Sequence, residues 1–177
     1  MKKLLNEQQT GEAFDRLFES LLPQIPRDQR VGVIGIRSRG EFLAQRLAQR
    51  LREVEGLAIE LGVLDITFYR DDLSKRQGAK LALATEIGFD INDTWVLLVD
   101  DVLQTGRSVR AALSALYDFG RPRVVRLAVL IDRGGHELPI AADFAGQKVD
   151  VPPGQVIKVK LKESDGEEGV FITQKHK

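Results

Sequence analysis

The chain has 177 residues, of which 43% are hydrophobic, and its 26 basic and 26 acidic side chains give a formal net charge of zero. This size and composition predict one well-buried domain over residues 1–177 and no global attraction for nucleic acid. Cysteine is absent, which excludes disulfides and thiolate chemistry, and no apolar run reaches membrane-spanning length, so we expect a cytoplasmic protein with no membrane partner.

The apolar pattern predicts that helices and strands alternate along the first half of the chain. Apolar residues recur at helical spacing over residues 14–25, where Pro23 and Pro26 end an amphipathic helix. Residues 31–36 predict a strand, residues 43–54 a second helix, and residues 59–70 a longer strand-like segment. Residues 70–94 show little periodicity and many small or polar side chains, which indicates a flexible flap.

The second half repeats this order of strand, loop and helix. The apolar run at residues 96–99 suits a strand that is covered on both faces, and residues 109–117 carry a helical apolar stripe. Residues 124–131 predict another buried strand, and residues 155–173 a C-terminal β-hairpin. Together the elements predict an α/β fold with a central, mainly parallel sheet that is flanked by helices.

The most informative motif lies where the strand at residues 96–99 ends. Asp100 and Asp101 fall at the carboxyl end of that strand, where ligands bind in open α/β sheets. A Thr-Gly-Arg-Ser turn then opens a helix, whose first N–H groups form an anion site. Carboxylates that accept from sugar hydroxyls, next to an anion site, favour a ribose 5-phosphate ligand. Neither a Walker loop nor a dinucleotide-binding glycine pattern is present.

A second strand-to-helix turn, Arg37-Ser38-Arg39-Gly40, combines backbone donors with two guanidinium groups. Guanidinium groups can bind a diphosphate in a bidentate manner. By itself the turn is more typical of a solvated basic loop than of a binding site. Its position after another predicted strand, like the acidic motif, favours a role in the same site.

The acidic motif and the helix that follows it resemble the phosphoribosyl diphosphate (PRPP) motif of type I phosphoribosyltransferases. Residues 65–74, with the sequence Asp-Ile-Thr-Phe-Tyr-Arg-Asp-Asp-Leu-Ser, resemble the PyrR family more specifically. The same holds for Asp132-Arg133-Gly134 and for residues 137–140. The resemblance extends over residues 31–146 and more loosely into the tail. It implies the type I phosphoribosyltransferase fold, with a flap at about residues 70–94 and a hairpin at about residues 155–173.

The resemblance also implies roles for individual residues. Asp100, Asp101 and Arg39 are implied to be catalytic, with the two acids serving the ribose hydroxyls and the metal shell. Mg²⁺ is expected to arrive with PRPP, without a metal site built from protein ligands alone. The flap residues implied are Tyr69, Arg70, Asp71 and Asp72. The expected PRPP and nucleotide contacts, besides these catalytic residues, are Arg37, Ser38, Val102, Leu103, Gln104, Thr105, Gly106, Arg107, Ser108, Arg133 and Ile157.

The function implied by the PyrR family is uracil phosphoribosyltransferase activity, which makes UMP and diphosphate from uracil and PRPP. Regulation of pyrimidine genes by UMP-dependent binding to a pyr mRNA leader is implied as a second activity. Two alternatives remain open: a mainly non-catalytic, nucleotide-sensing RNA regulator, and a phosphoribosyltransferase for a purine base. The family also implies a homodimer or homotetramer. Neither His136 nor His176 is assigned to chemistry.

The sequence departs from the family where RNA is bound. The first helix carries Glu12, Asp15 and Glu19 with Arg16 as its cation, and Ala141 stands where the family commonly has arginine. Because lysine and arginine supply much of the affinity for phosphates, these departures weaken the expectation of RNA binding. Four further cations could gather into a local basic patch, namely Arg121, Arg123, Arg126 and Lys148.

Overall fold

The computed structural model describes residues 1–71 and 84–174 of the chain. Strands and helices alternate through most of that length. The strands are β1 (Lys2–Leu5), β2 (Arg30–Ile36), β3 (Ala58–Leu64), β4 (Trp95–Leu103), β5 (Val124–Asp132), β6 (Phe144–Lys148), β7 (Gln155–Lys160) and β8 (Gly169–Gln174). The α-helices are α1 (Glu7–Leu21), α2 (Arg39–Arg52), α3 (Arg107–Tyr117) and α4 (Lys162–Asp165). None of the described helices is long and apolar enough to cross a membrane.

Five strands form a parallel sheet in the order β3-β2-β4-β5-β6, which confirms the predicted fold class. Alternate residues of β4 point to opposite faces, so Leu97 and Val99 pack with α1 and α2, whereas Val96 and Leu98 pack with α3. Both faces are therefore covered, as the continuous apolar run in β4 predicts.

The order in which the chain adds strands to the sheet reverses between β2 and β4, and this point is called the reversal of strand order. From β2 the chain passes to β3 on one side, and from β4 it passes to β5 and β6 on the other. Residues Gly35 and Val99 are paired across this boundary. Ligands of open α/β sheets bind beyond the carboxyl ends of the strands at such a reversal, so the loops after β2 and β4 are brought to one place.

The predicted C-terminal hairpin is present as β7 and β8, and an unpredicted strand joins it. Lys2 of β1 pairs with Ile172 of β8, so the two ends of the chain form a three-stranded antiparallel sheet. The first helix begins at Glu7, seven residues before the predicted start, because Asn6 and Gln9 form a capping box. Strand β6 was likewise not predicted.

The segment predicted as strand up to residue 70 and then as flap differs in the structure. Strand β3 ends at Leu64, and Thr67–Tyr69 forms a 3₁₀ turn. Glu86 exchanges two backbone hydrogen bonds of 2.8 Å with Val63, and Ile91 is fully buried. Residues 86–94 therefore belong to the body of the domain. Residues 72–83 of the predicted flap, including Asp72, lie outside the described residues.

Candidate active site

Two loops meet at the reversal of strand order in the sheet and line a cavity of about 170 Å³. The first loop follows β2 and contributes Arg37, Ser38 and Arg39, with a cis peptide bond between Arg37 and Ser38. The end of β4 contributes Asp100 and Asp101 from the other side. The structure thus brings together the acidic pair and the basic turn, which are more than 60 residues apart in the sequence.

The two carboxyl groups occupy unequal environments. Asp100 is buried, and its Oδ1 accepts a hydrogen bond of 2.9 Å from the backbone N–H of Asp101. Burial and the neighbouring charge of Asp101 raise the pKa of Asp100 well above its ordinary value. Burial also raises the pKa of Asp101, against the opposing charge of Arg39. Such a pair is suited to accept ligand hydroxyl protons in hydrogen bonds or to contact a cation, because either offsets the buried negative charge.

A second cavity, of about 260 Å³, lies over the start of α3. It is lined by the turn from Val102 to Ser108, which is called the phosphate turn below. Gly106 in this turn adopts a φ of +88°, which L-amino acids with a side chain seldom adopt. A Cβ at Gly106 would lie 3.3 Å from the Cβ of Ile140. Helix α3 begins at Arg107, and its first three residues line this cavity, which places the cavity at a helix N-terminus, where phosphate groups bind.

The guanidinium groups of Arg37 and Arg107 are held by protein acids. Arg37 contacts Glu41 at 3.2 Å and Glu86 at 2.8 Å. Arg107 contacts Asp71 at 2.8 Å and Glu137 at 2.9 Å. Sequence reasoning did not foresee these acidic partners.

Arg39 has a different partner, in the C-terminal part of the chain. Its Nε and Nη2 donate to the two carboxylate oxygens of Asp165, at 3.1 and 2.7 Å. Hydrogen bonding to Asp165 raises the pKa of Arg39, and the charge of Asp101 adds to the effect. Arg39 therefore lies between the acidic pair and the turn of the hairpin. Sequence reasoning missed Asp165, because only its position in a Ser-Asp-Gly turn marks it.

The beginning of the predicted flap is attached to α3. Arg110 Nη2 donates to the carbonyl oxygen of Tyr69 at 2.9 Å, and the Tyr69 hydroxyl donates to Asp118. Arg70 Nη1 lies 3.4 Å from the Ser108 hydroxyl, and Arg70 lines both cavities. Arg70 is thus placed between the phosphate turn and the acidic pair, a position that the sequence did not reveal.

The residues expected beside the nucleotide are only partly brought together. Ile157 of β7 lines the larger cavity. Arg133 is tied to β4 by its N–H, which donates to Leu103 at 2.9 Å, and its buried Nε has no hydrogen-bond partner among the described residues. Arg133 is absent from the described lining of both cavities. His136 contacts Asp132 at 3.0 Å.

The cations considered for RNA binding do not form one patch. Arg16 donates to the Gly146 carbonyl and to Gln147, and is thereby held against β6. Arg121 and Arg123 precede β5 and Arg126 is its third residue, in contact with Asp143 at 3.1 Å, whereas Lys148 lies beside Asp132 in the sheet, at the carboxyl end of β5. Nine residues of strand span roughly 25–30 Å, so these cations lie at opposite ends of the sheet.

The donor set fits a metal ion that is carried by a substrate. In the described part of the chain, histidine and carboxylate side chains nowhere gather in groups of three or more that could hold a metal ion. Among the described residues that line the smaller cavity, Asp100 and Asp101 are the two carboxylates. Mg²⁺ is held in many sites by one or two carboxylates together with phosphate oxygens and water, which matches this arrangement.

Comparison with known proteins agrees with this geometry. Residues 1–163 match the family described as Phosphoribosyl transferase domain. The chain is 48% identical over 174 residues to a protein of Roseiflexus sp. (strain RS-1) named Bifunctional protein PyrR, covering 98% of this chain and 95% of that protein. The chain belongs to the PyrR family of phosphoribosyltransferases. Another member, from Elusimicrobium minutum, is 41% identical and covers 99% of both chains.

Solved structures show that the fold of this PyrR family member is shared with more distant phosphoribosyltransferases. A hypoxanthine phosphoribosyltransferase from Trypanosoma cruzi superimposes with a TM-score of 0.70 at 18% identity, covering 98% of this chain and 95% of that one. The enzyme from Leishmania tarentolae, described as HGPRT-ase, gives 0.68 at 12% identity, with the same two coverages. At these identities the likeness shows the fold alone.

Proposed function

We propose that this PyrR family member transfers the phosphoribosyl group of PRPP to uracil, producing UMP and diphosphate. The observation that carries the proposal is that Asp100, Asp101 and Arg39 lie close to the phosphate turn, at the reversal of strand order in the sheet. One cavity offers carboxylates for ribose hydroxyls and a guanidinium for diphosphate. The other offers a helix N-terminus for the 5-phosphate.

In this proposal, each part of the site supports a transition state with positive charge on the ribose ring. The bond from C1′ to the diphosphate oxygen breaks as the bond from C1′ to the uracil nitrogen forms. Asp100 and Asp101 fix the ribose hydroxyls and the adjacent negative charge favours the oxocarbenium character. Arg39 and the backbone of Ser38 stabilise the departing diphosphate, which carries Mg²⁺ as part of the substrate complex.

The remaining roles follow from position. The N–H groups of the turn from Val102 to Ser108 bind the 5-phosphate, and Arg70 contributes charge between the two cavities. Ile157 packs beside the nucleotide. The segment that begins at Tyr69 is anchored on α3, which gives a closing flap a fixed origin.

An assay with the purified chain tests the proposal. We expect UMP and diphosphate to form from uracil, PRPP and Mg²⁺, with much lower rates for hypoxanthine and guanine. Asp101→Asn should abolish turnover, whereas the matched surface variant Asp15→Asn, on α1, should retain it. Turnover of a purine base in preference to uracil would refute the assigned base, and unimpaired activity of Asp101→Asn would refute the assigned site.

Regulation through a pyr mRNA leader remains a second candidate because the relatives are named bifunctional. The separated cations and the acidic first helix of this chain give it little support. A titration with leader RNA, with and without UMP and at several salt concentrations, tests it. A UMP-dependent affinity that falls steeply with salt would support RNA binding, and its absence would limit this chain to the transferase activity.

We also propose that the chain forms a homo-oligomer. Three large aromatic side chains are exposed, namely Phe68 at 78%, Tyr117 at 55% and Phe119 at 46%. The hydrogen bond between Tyr69 and Asp118 holds their neighbourhoods together. Neighbouring exposed aromatic side chains are typical of protein interfaces. Light scattering of the wild type and of Phe68→Ser would show a dimer or larger species that the substitution weakens, and a wild-type monomer would contradict the proposal.

A further inference from the structure

The contact between Arg39 and Asp165 joins the loop after β2 to α4, near the C-terminal end of the chain. No sequence motif links these two segments. The two residues are 126 positions apart, yet their side chains form two parallel hydrogen bonds of 3.1 and 2.7 Å. The side chains are 26% and 15% exposed, respectively. A two-point contact of this kind fixes both the position and the plane of the guanidinium.

Asp165 is itself held firmly. Its Oδ2 accepts hydrogen bonds from the Leu161 N–H at 3.1 Å and from the Ser164 hydroxyl at 2.7 Å. Gly166 ends α4 with a φ of +70°, which turns the chain immediately after Asp165. The carboxylate that Arg39 meets is therefore preset by its own turn, and it does not depend on Arg39 for its orientation.

Arg39 retains donors for a ligand in this contact. A guanidinium has five N–H donors, of which Asp165 takes two. No other acceptor in residues 1–71 and 84–174 binds the guanidinium of Arg39. Arg39 also lines the cavity that contains Asp100 and Asp101. The remaining donors are thus available where the proposed diphosphate departs.

We propose that Asp165 is a positioning residue that holds the Arg39 guanidinium in the orientation needed to bind the diphosphate of PRPP. The inference rests on the proposed transferase function and adds a residue from the hairpin turn to that site. A long arginine side chain without this contact samples many rotamers, and ordering it on binding costs affinity. Because Asp165 already orders the Arg39 side chain in the folded protein, that entropy cost is not part of diphosphate binding.

A neighbouring ion-pair network supplies a matched control. Arg46 lies two helical turns after Arg39 on α2 and contacts Glu163 at 2.7 Å and Glu168 at 2.8 Å. Glu163 thereby attaches the same short segment to the same helix without contacting Arg39. Glu163→Gln measures how diphosphate binding changes when the attachment of this segment to α2 is weakened. Asp165→Asn measures how it changes when Arg39 is released.

Calorimetry with diphosphate and Mg²⁺ tests the inference without any base. We expect Asp165→Asn to weaken diphosphate binding on the order of tenfold, since one charge-assisted contact is lost. Glu163→Gln should bind as the wild type does, and Asp165→Glu should restore part of the affinity. In turnover assays, the KM for PRPP should rise in Asp165→Asn while the KM for uracil stays unchanged.

Several outcomes would overturn the inference. Equal diphosphate affinity in Asp165→Asn and the wild type, tighter binding, or an equal loss in Glu163→Gln would each exclude positioning by Asp165. If Asp165→Asn does not fold, Ser164→Ala, which removes one hydrogen bond to Asp165, should still weaken diphosphate binding about twofold to threefold, and no change would overturn the inference. A wild type that binds diphosphate but makes no nucleotide would refute only the proposed function.

Discussion

Replacing Gly40 by alanine should disturb the packing of α2 against the acidic strand. Gly40 follows Arg39 in the first turn of α2 and is buried. A Cβ at this position would lie 2.5 Å from the carbonyl oxygen of Val99 and 3.1 Å from the Cα of Asp100. All of these neighbours are backbone atoms, so no side chain can rotate away to make room.

The distances set the size of the effect. Ordinary contact begins at about 3.4 Å, so α2 and β4 must separate locally by roughly 0.5–0.9 Å. Overpacking of this kind costs about 1–3 kcal/mol. Alanine is also a better helix former than glycine by about 1 kcal/mol, which offsets part of the loss. Because Arg39 and Asp100 flank the contact, the same displacement should lower kcat/KM for PRPP by about 10- to 100-fold.

Gly11→Ala isolates the packing effect from helix propensity. Gly11 lies inside α1, and a Cβ there would meet no atom within 4 Å. Gly11→Ala brings the gain in helix propensity without the clash, so the variants should differ by about 1–3 kcal/mol, or roughly 2–12 °C in Tm. Differential scanning calorimetry and initial rates measure the two effects. Equal Tm values for the variants, with unchanged kcat/KM in Gly40→Ala, would refute the reasoning.

Three further predictions concern charge and backbone conformation. Burial beside Asp101 raises the pKa of Asp100, so protonation stabilises the fold, and this stabilisation is lost as pH rises through the folded-state pKa. Asp100→Asn should therefore melt above the wild type at pH 8 and converge with it below about pH 4, and a difference independent of pH in calorimetry would contradict this. Gly106→Ala should lose about 1–2 kcal/mol because of its φ of +88°, and raise the KM for PRPP but not for uracil, in steady-state kinetics. Arg46→Ala should lose about 1–3 kcal/mol in urea unfolding because the carboxylate of Glu168 loses its partner, and an unchanged midpoint would show that the network adds no stability.

The sequence identified the phosphate turn because every part of that motif is local. The apolar strand, Asp100, Asp101 and the glycine turn lie within 13 consecutive residues, and strand ends and helix starts depend mainly on neighbouring residues. The parallel sheet was predictable for a similar reason, since a continuous apolar run indicates a strand covered on both faces. The early start of α1 was missed because its capping box precedes the apolar stripe.

Contacts between distant segments could not be read in this way. The pairing of β1 with β8 and the contact of Arg37 with Glu86 depend on which segments the fold brings together. The distribution of Arg121, Arg123 and Lys148 shows the same limit. Their number suggested a local patch, whereas β5 separates Lys148 from the two arginines by the length of a strand.

By itself, the amino-acid sequence determined the fold class, the phosphate turn and the presence of two acids at a strand end, because periodicity and turn chemistry act over a few residues. Only the tertiary structure decided that Arg39 meets Asp165 while Arg37 and Arg107 are held by other acids. The direction in which an arginine side chain points is set by the charges that folding places around it. Those charges come from segments as much as 126 positions away.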